Sequence, residues 1–121
     1  MNMIVGACCL GLTLCSLSIH AQHTYHVSNN GNDALSGFSP DDAWKSLNAL
    51  NDQPFVPGDS ILFERGGTWL GMFHLQGSGA EEAPIVVGAY GNATQPRPTL
   101  DGDGYQASLL IYNDSHIVVQ D

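Results

Sequence analysis

Residues 60–119 read SILFERGGTWLGMFHLQGSGAEEAPIVVGAYGNATQPRPTLDGDGYQASLLIYNDSHIVV. Short β-branched and aromatic runs alternate here with Gly, Pro, Asn and Asp, the composition of brief strands separated by turns. The runs are Ile61-Leu62-Phe63, Trp69 to Leu75, Ile85-Val86-Val87, Thr99-Leu100, Leu109-Leu110-Ile111 and Ile117-Val118-Val119. Ile61, Ile85 and Leu109 are 24 residues apart, and so are Phe63, Val87 and Ile111. A constant period in this range is what stacked repeats produce. No Asn-Gly or Asp-Gly pair forms a two-residue loop between adjacent alternating strands, so nothing signals hairpins. A repeat of this length accommodates one triangular turn of three strands, and successive turns stack in parallel about 4.8 Å apart. The expected fold is therefore all-β, a parallel β-helix, with Ile61, Ile85 and Leu109 in one inward column and Phe63, Val87 and Ile111 in the next. A small β-sandwich with an N-terminal helix also explains short strands, but not the spacing.

Outward from this stretch, the preceding residues change character. Thr24 to Ser28 is β-prone, and Asn29 to Gly37 is rich in Asn, Gly, Asp and Ser, as loops are. Ser39 then suits an N-cap, Pro40 the first helical position, and Asp42 a capping box with Ser39. Asp41 and Asp42 complement the positive end of a helix dipole. Trp44, Leu47 and Leu50 recur at threes, which predicts one amphipathic helix over 40–50, ended by Asn51-Asp52 and Pro54. A β-stack has an open apolar end that recruits other chains. A helix placed before the first turn closes that end and gives the stripe its partner. Pro57-Gly58-Asp59 makes the turn into the strands.

At the start of the chain, Ile4 to Leu17 is apolar or small, too short to span a bilayer, which takes about 20 residues. Ser18 to Gln22 follows as a polar break with small residues, so residues 1–21 read as a secretory signal peptide ending at Ala21. A buried N-terminal helix of a cytosolic domain is the competing reading, but no second amphipathic helix exists to pack on it. All three cysteines, Cys8, Cys9 and Cys15, fall in the leader. A mature chain without them has no disulfide, thiol nucleophile or Cys-ligated zinc. The expected organisation is residues 1–21 as leader, 22–58 as an N-terminal cap with a short strand and the helix, and 59–121 as the first coils. The expected location is secreted or in the cell envelope, with no membrane association after cleavage.

The formal charge is −9, with Lys45, Arg65 and Arg97 the only Lys or Arg residues. Nucleic-acid binding needs a basic face, which this chain lacks. A polyanionic glycan would be repelled unless calcium or later basic residues intervene. Asp101-Gly102-Asp103-Gly104 is the sharpest acidic cluster. Asp101 and Asp103 are the candidate metal ligands, since calcium takes closely spaced oxygen donors. The same pattern also makes a tight turn for backbone reasons alone, and it lacks the length and terminal Glu of an EF-hand loop. Asn30, Asn32 and Asp33 invite the same two readings. The histidines form no His-Glu-x-x-His, and no nucleophile elbow or phosphate loop is present. Glu64 reads as a surface acid beside Arg65. Strand parity with Phe73 and Leu75 turns Trp69 inward, whereas Tyr112 is the best outward aromatic.

Taken in order, Tyr25-His26-Val27-Ser28, Gly31-Asn32-Asp33, Ser36-Gly37, Ala43-Trp44-Lys45-Ser46-Leu47, Pro57-Gly58-Asp59-Ser60-Ile61, Arg65-Gly66-Gly67-Thr68-Trp69, Ser78-Gly79, Pro84-Ile85, Tyr90-Gly91 and Pro98-Thr99-Leu100-Asp101-Gly102 form a recurring series. It resembles the N-terminal part of bacterial secreted right-handed parallel β-helix proteins of the pectate-lyase-like superfamily. The resemblance covers almost all of the mature chain. It implies a right-handed coil and a polysaccharide partner, in a parent that is a polysaccharide lyase or glycoside hydrolase. The alternative is a non-catalytic surface protein that binds glycans or adheres. In the lyases the base is a Lys or Arg on a later coil, with calcium held by acidic residues beside it. No residue here matches those positions. Catalytic residues, and any calcium of the full-length protein, are therefore expected beyond Asp121, with no cofactor in this segment.

The leader yields a first testable outcome: export should remove residues 1–21 and leave Gln22 as the new N-terminus. N-terminal sequencing of the exported protein checks this, and an intact Met1 would refute it.

Overall fold

The computed structural model describes residues 22–112 and 114–120; the expected leader lies outside them. The described chain is all-β apart from short helical turns. Its strands are β1 (Thr24–Val27), β2 (Ser60–Glu64), β3 (Thr68–Leu70), β4 (Phe73–Leu75), β5 (Ile85–Tyr90), β6 (Thr99–Asp101), β7 (Leu109–Ile111) and β8 (Ile117–Val119). They form three parallel sheets, ordered β1-β2-β5-β8, β3-β6 and β4-β7. From β2 the chain visits the first, second and third sheets in turn, repeats the circuit, and returns to the first.

The expected columns are corrected by the observed register. Ile61 pairs with Val87 and not with Ile85; Ile85 pairs with Ile117. Leu109 is in another sheet, opposite Phe73, and Ile111 lies opposite Leu75. The true steps vary, from Ser60 to Val86, Thr68 to Thr99, Ile85 to Ile117 and Phe73 to Leu109. Parallel pairing fixes the distance between neighbouring strands and leaves the connecting loops free in length. The equal 24-residue spacing therefore missed the register by two residues between β2 and β5, and from β5 to β7 it joined strands of different sheets. The inward alternation itself holds: Tyr25, Ile61 and Val87 share one buried column, and Val27 and Phe63 the next. Trp69 is buried, as parity requires.

Residues 40–50 are not one helix. Pro40–Asp42 is a 3-10 turn and Leu47–Asn51 a five-residue α-helix, α1. Between them Trp44 joins the edge of β1: its N–H donates to the His26 carbonyl at 2.9 Å, and its carbonyl accepts from Ser28 N–H at 2.8 Å. A backbone committed to a strand cannot also bond within a helix, so the periodic stripe is split. Trp44, Leu47 and Leu50 are nevertheless all buried in the common core with Tyr25, Phe55 and Phe73. The Ser39 cap is half realised: its Oγ accepts from Asp42 N–H at 3.2 Å and also bonds the Asp42 carboxylate. Gly31 is required beside this junction, since a Cβ there would lie 2.3 Å from the Trp44 carbonyl oxygen.

Side-chain amides complete the same end. Asn29 pairs with Thr68 in both directions, Nδ2 donating to its carbonyl at 3.2 Å and Oδ1 accepting its N–H at 3.0 Å. Asn51 donates to the Met72 carbonyl at 3.0 Å and accepts from His74 N–H at 2.8 Å. Each amide thus stands in for a neighbouring strand at the edge of β3 or β4. The opposite end is open: Val87 is 4% exposed but its partner Val119 55%, and Leu75 is 0% exposed but its partner Ile111 37%.

Replacing the Asn51 amide would strand the Met72 carbonyl and the His74 N–H. Asn51→Ala should cost about 1–3 kcal/mol, against about 0.5 kcal/mol or less for Asn48→Ala on the exposed side of α1. Urea unfolding of the two variants checks the difference.

Candidate functional site

Pairing in the first sheet sets outward rows as firmly as inward ones. Alternation along β2 sends Ser60, Leu62 and Glu64 outward, and the register places Glu64 opposite Tyr90. Ser28, just past the end of β1, is buried and donates its hydroxyl to Glu64 Oε1 at 2.6 Å. Its oxygen in turn accepts from Asn30 N–H at 3.1 Å. His26 presents its ring edge-on to Tyr90, with centroids 5.0 Å apart and planes at 86°. Ser28, Glu64, Tyr90 and His26 so form one polar and aromatic cluster on the outer face. Between Leu62 and Gln120 the row is floored by Gly88, where a Cβ would find the two side chains at 3.4 and 3.5 Å.

The cluster is electrostatically coupled. Burial, and then the nearby Glu64 carboxylate, push the Tyr90 phenol up to about 12, against a smaller opposing effect of its hydrogen bond to Ser28. Glu64 is the only carboxylate among the outward strand residues of this sheet. Glycoside hydrolysis ordinarily uses two, so the strands of this face do not assemble a catalytic pair. None of the three basic residues lies on those strands either.

The residues singled out from sequence fall elsewhere. Asp101 ends β6, and its Oδ1 accepts from Asp103 N–H at 3.0 Å; Asp103 takes a left-handed backbone, φ 49°. This is a turn-stabilising arrangement, and among the described residues no group of three or more His, Cys, Asp or Glu is disposed to hold a metal ion. Asp33 is a structural acceptor. Although burial alone would raise its pKa, hydrogen bonds from the Ser46 hydroxyl and from the Ser46 and Lys45 N–H groups, with the Lys45 charge, hold it below the usual carboxylate value. Asp59, fully buried, accepts from His23 N–H at 2.8 Å and Val56 N–H at 3.0 Å. Tyr112 is exposed as expected. Ser28 and Tyr90 were not legible as partners of Glu64, because they meet only through a register that spans long loops.

A concavity of about 280 Å³ lies between α1 and the turn joining β3 to β4, with Tyr105 also in its lining.

The coupling of Tyr90 has a signed consequence. Its pKa is raised in the folded state, from 10.0 to about 12, so its contribution to stability is complete below pH 10 and is lost as pH rises from about 10 to 12. Glu64→Gln removes the carboxylate charge, and the Tyr90 titration should move down while remaining above 10. Ultraviolet titration of tyrosinate, with Tyr90→Phe to identify the transition, checks both the direction and the origin.

No family model matches the chain. It is 38% identical over 90 residues to a lacto-N-biosidase of Bifidobacterium longum subsp. longum, spanning 70% of this chain and 6% of that protein. It is 30% identical over 66 residues to alpha-1,3-galactosidase A of Akkermansia muciniphila, spanning 54% of this chain and 11% of that one. Among solved structures it superimposes on the GH136 lacto-N-biosidase of Eubacterium ramulus with a TM-score of 0.72 and 31% identity, over 80% of this chain and 19% of that chain. The chain thus spans a small part of each of these glycoside hydrolases, and its likeness is to carbohydrate-active proteins.

Proposed function

We propose that the chain forms the opening coils of a right-handed parallel β-helix in a secreted glycoside hydrolase whose catalytic carboxylates lie on further coils. The observation that carries this reading is the likeness to the GH136 lacto-N-biosidase over most of the described chain, at an identity that exceeds fold resemblance alone. The circuit of the chain through three parallel sheets supports the coil, and the sealed first edge supports a capping role for residues 22–58. The open edge, with Ile111 and Val119 uncovered, suits a further rung that would pair with β7 and β8.

Hydrolysis is favoured over elimination. Both curated relatives are named as glycosidases. The substrate would be a neutral glycan of the lacto-N-biosyl or alpha-1,3-galactosyl kind. Secretion would follow from the leader at 1–21.

A graft tests this reading. Residues 22–120 placed in the Eubacterium ramulus enzyme, in exchange for the segment they match, should give a folded protein that still releases sugar from that enzyme's substrate. The 121-residue chain alone should release none. A graft that fails to fold, or folds and has lost hydrolysis, refutes the proposed equivalence of coils. Turnover by the chain alone that Glu64→Gln abolishes would move the active site into this segment.

A further inference from the structure

The cleft beside α1 shares no lining residue with the outer-face cluster. We infer that it is a subsite for a single neutral pyranose unit, with Tyr105 as the stacking platform and the Asn48 carboxamide as hydrogen-bond partner. The inference rests on the carbohydrate reading given above and adds a second place of contact.

Its size and lining carry the argument. At about 280 Å³ it sits at the lower limit of small-molecule sites, which run from about 300 to 1,000 Å³; that suits one ring and not an extended chain. Its walls combine the apolar Leu47, Leu70 and Met72 with the amides of Asn48 and Asn51, and among the described residues no charged side chain lines it. A pyranose has the same double character, with C–H groups on its faces and hydroxyls around its edge. The C–H groups carry slight positive charge and favour the negative face of an aromatic ring. A uronate would meet no cation here and would face a chain of net charge −9.

The geometry is held in place without a ligand. Leu70 and Tyr105 both line the cleft and are 63% and 62% exposed, so their apolar surface is open to a ligand. Tyr105 is presented by the Asp-Gly-Asp-Gly turn: Asp103 and Gly104 are both left-handed, at φ 49° and 88°, and Tyr105 N–H donates to the Gly102 carbonyl at 2.8 Å. The acidic motif therefore serves to aim an aromatic ring. Asn51 is fixed by its bonds to Met72 and His74, which makes the floor rigid. Asn48, three residues earlier and on the same helical face, has no side-chain hydrogen bond among the described residues and is available. Gly71, at φ 115°, keeps the floor clear, since a Cβ there would touch only Leu47 Cδ1, at 3.8 Å.

The test is a titration of the full chain, followed by NMR, with lactose as the neutral probe and digalacturonate as the charged one. Lactose should shift the Tyr105 ring and the Asn48 side-chain amide, with a Kd of about 1–10 mM. Y105A should weaken binding about tenfold. N48D, which removes the amide donors and adds a charge, should weaken it at least as much. Y112A, an exposed aromatic outside the cleft, should leave it unchanged, and digalacturonate should bind at least about tenfold more weakly than lactose. Lactose binding that Y105A and N48D both leave intact overturns the cleft and leaves the carbohydrate reading standing. Absence of binding by either sugar also overturns the cleft, whereas the carbohydrate reading is decided separately by the graft.

Discussion

Everything in this chain depends on how the first rung satisfies its free edge. A parallel strand has backbone donors and acceptors on both sides, and burying them unpaired costs about as much as the core gains from several methylenes. Residues 28–56 meet that requirement with a backbone bridge and two side-chain amides. Trp44 supplies a single bridge to β1, the Asn29 carboxamide pairs with Thr68, and the Asn51 carboxamide pairs with Met72 and His74. Because these partners are fixed, Trp44, Leu47 and Leu50 can settle on Tyr25 and Phe73 as a lid of apolar surface. A five-residue helix such as α1 has no stability of its own; its place is fixed by what it covers and by the bonds of Asn51.

The same pairing that seals the core also composes the outer face. Once β1, β2 and β5 are in register, Ser28, Glu64 and Tyr90 must stand side by side. Burial and charge then act on Tyr90 together, and the Ser28 hydroxyl holds Glu64 in one orientation. The outer cluster is thus a consequence of strand register, whereas the cleft at Tyr105 is a consequence of loop chemistry. Two potential contact regions arise from two separate levels of the structure, and a change to one need not disturb the other.

Much of the fold could be read from local chemistry, and the failures have a common origin. Strand positions followed from short β-prone runs bounded by Gly and Pro, and inward alternation correctly buried Ile61, Phe63, Trp69, Ile85 and Val87. The apolar stripe at Trp44, Leu47 and Leu50 identified what is buried, but not the backbone that buries it, because a bridge from Trp44 to β1 is a long-range contact that periodicity does not report. The 24-residue column failed for the same reason: which strands pair is decided across loops of different lengths. The candidate site shared that blindness. Glu64 was visible as an acid, but its partners Ser28 and Tyr90 lie at sequence separations that only the observed register connects. Asp101 and Asp103 were visible as a motif, and only the structure shows that Asp101 accepts the Asp103 N–H within the turn that leads to Tyr105.

Variation in loop length against constancy of strand spacing also explains how such a scaffold acquires specificity. The step from Ser60 to Val86 and that from Phe73 to Leu109 join neighbouring strands of equal separation with unequal lengths of chain. The surplus residues are expelled to the surface as turns, since an added loop residue costs little closure entropy compared with a disrupted rung. Gly102-Asp103-Gly104 is such a surplus: it follows the last paired residue of β6, Asp101, adds no strand pairing itself, and brings Tyr105 to the lining of a cleft between elements that the core has already fixed. The selectivity proposed for the cleft, neutral sugar over charged, then requires no dedicated residue. Among the described residues no charged side chain lines the cleft, and a chain with twelve acidic and three basic residues disfavours uronates through its long-range field, leaving the proposed short-range contact to the ring and the amide.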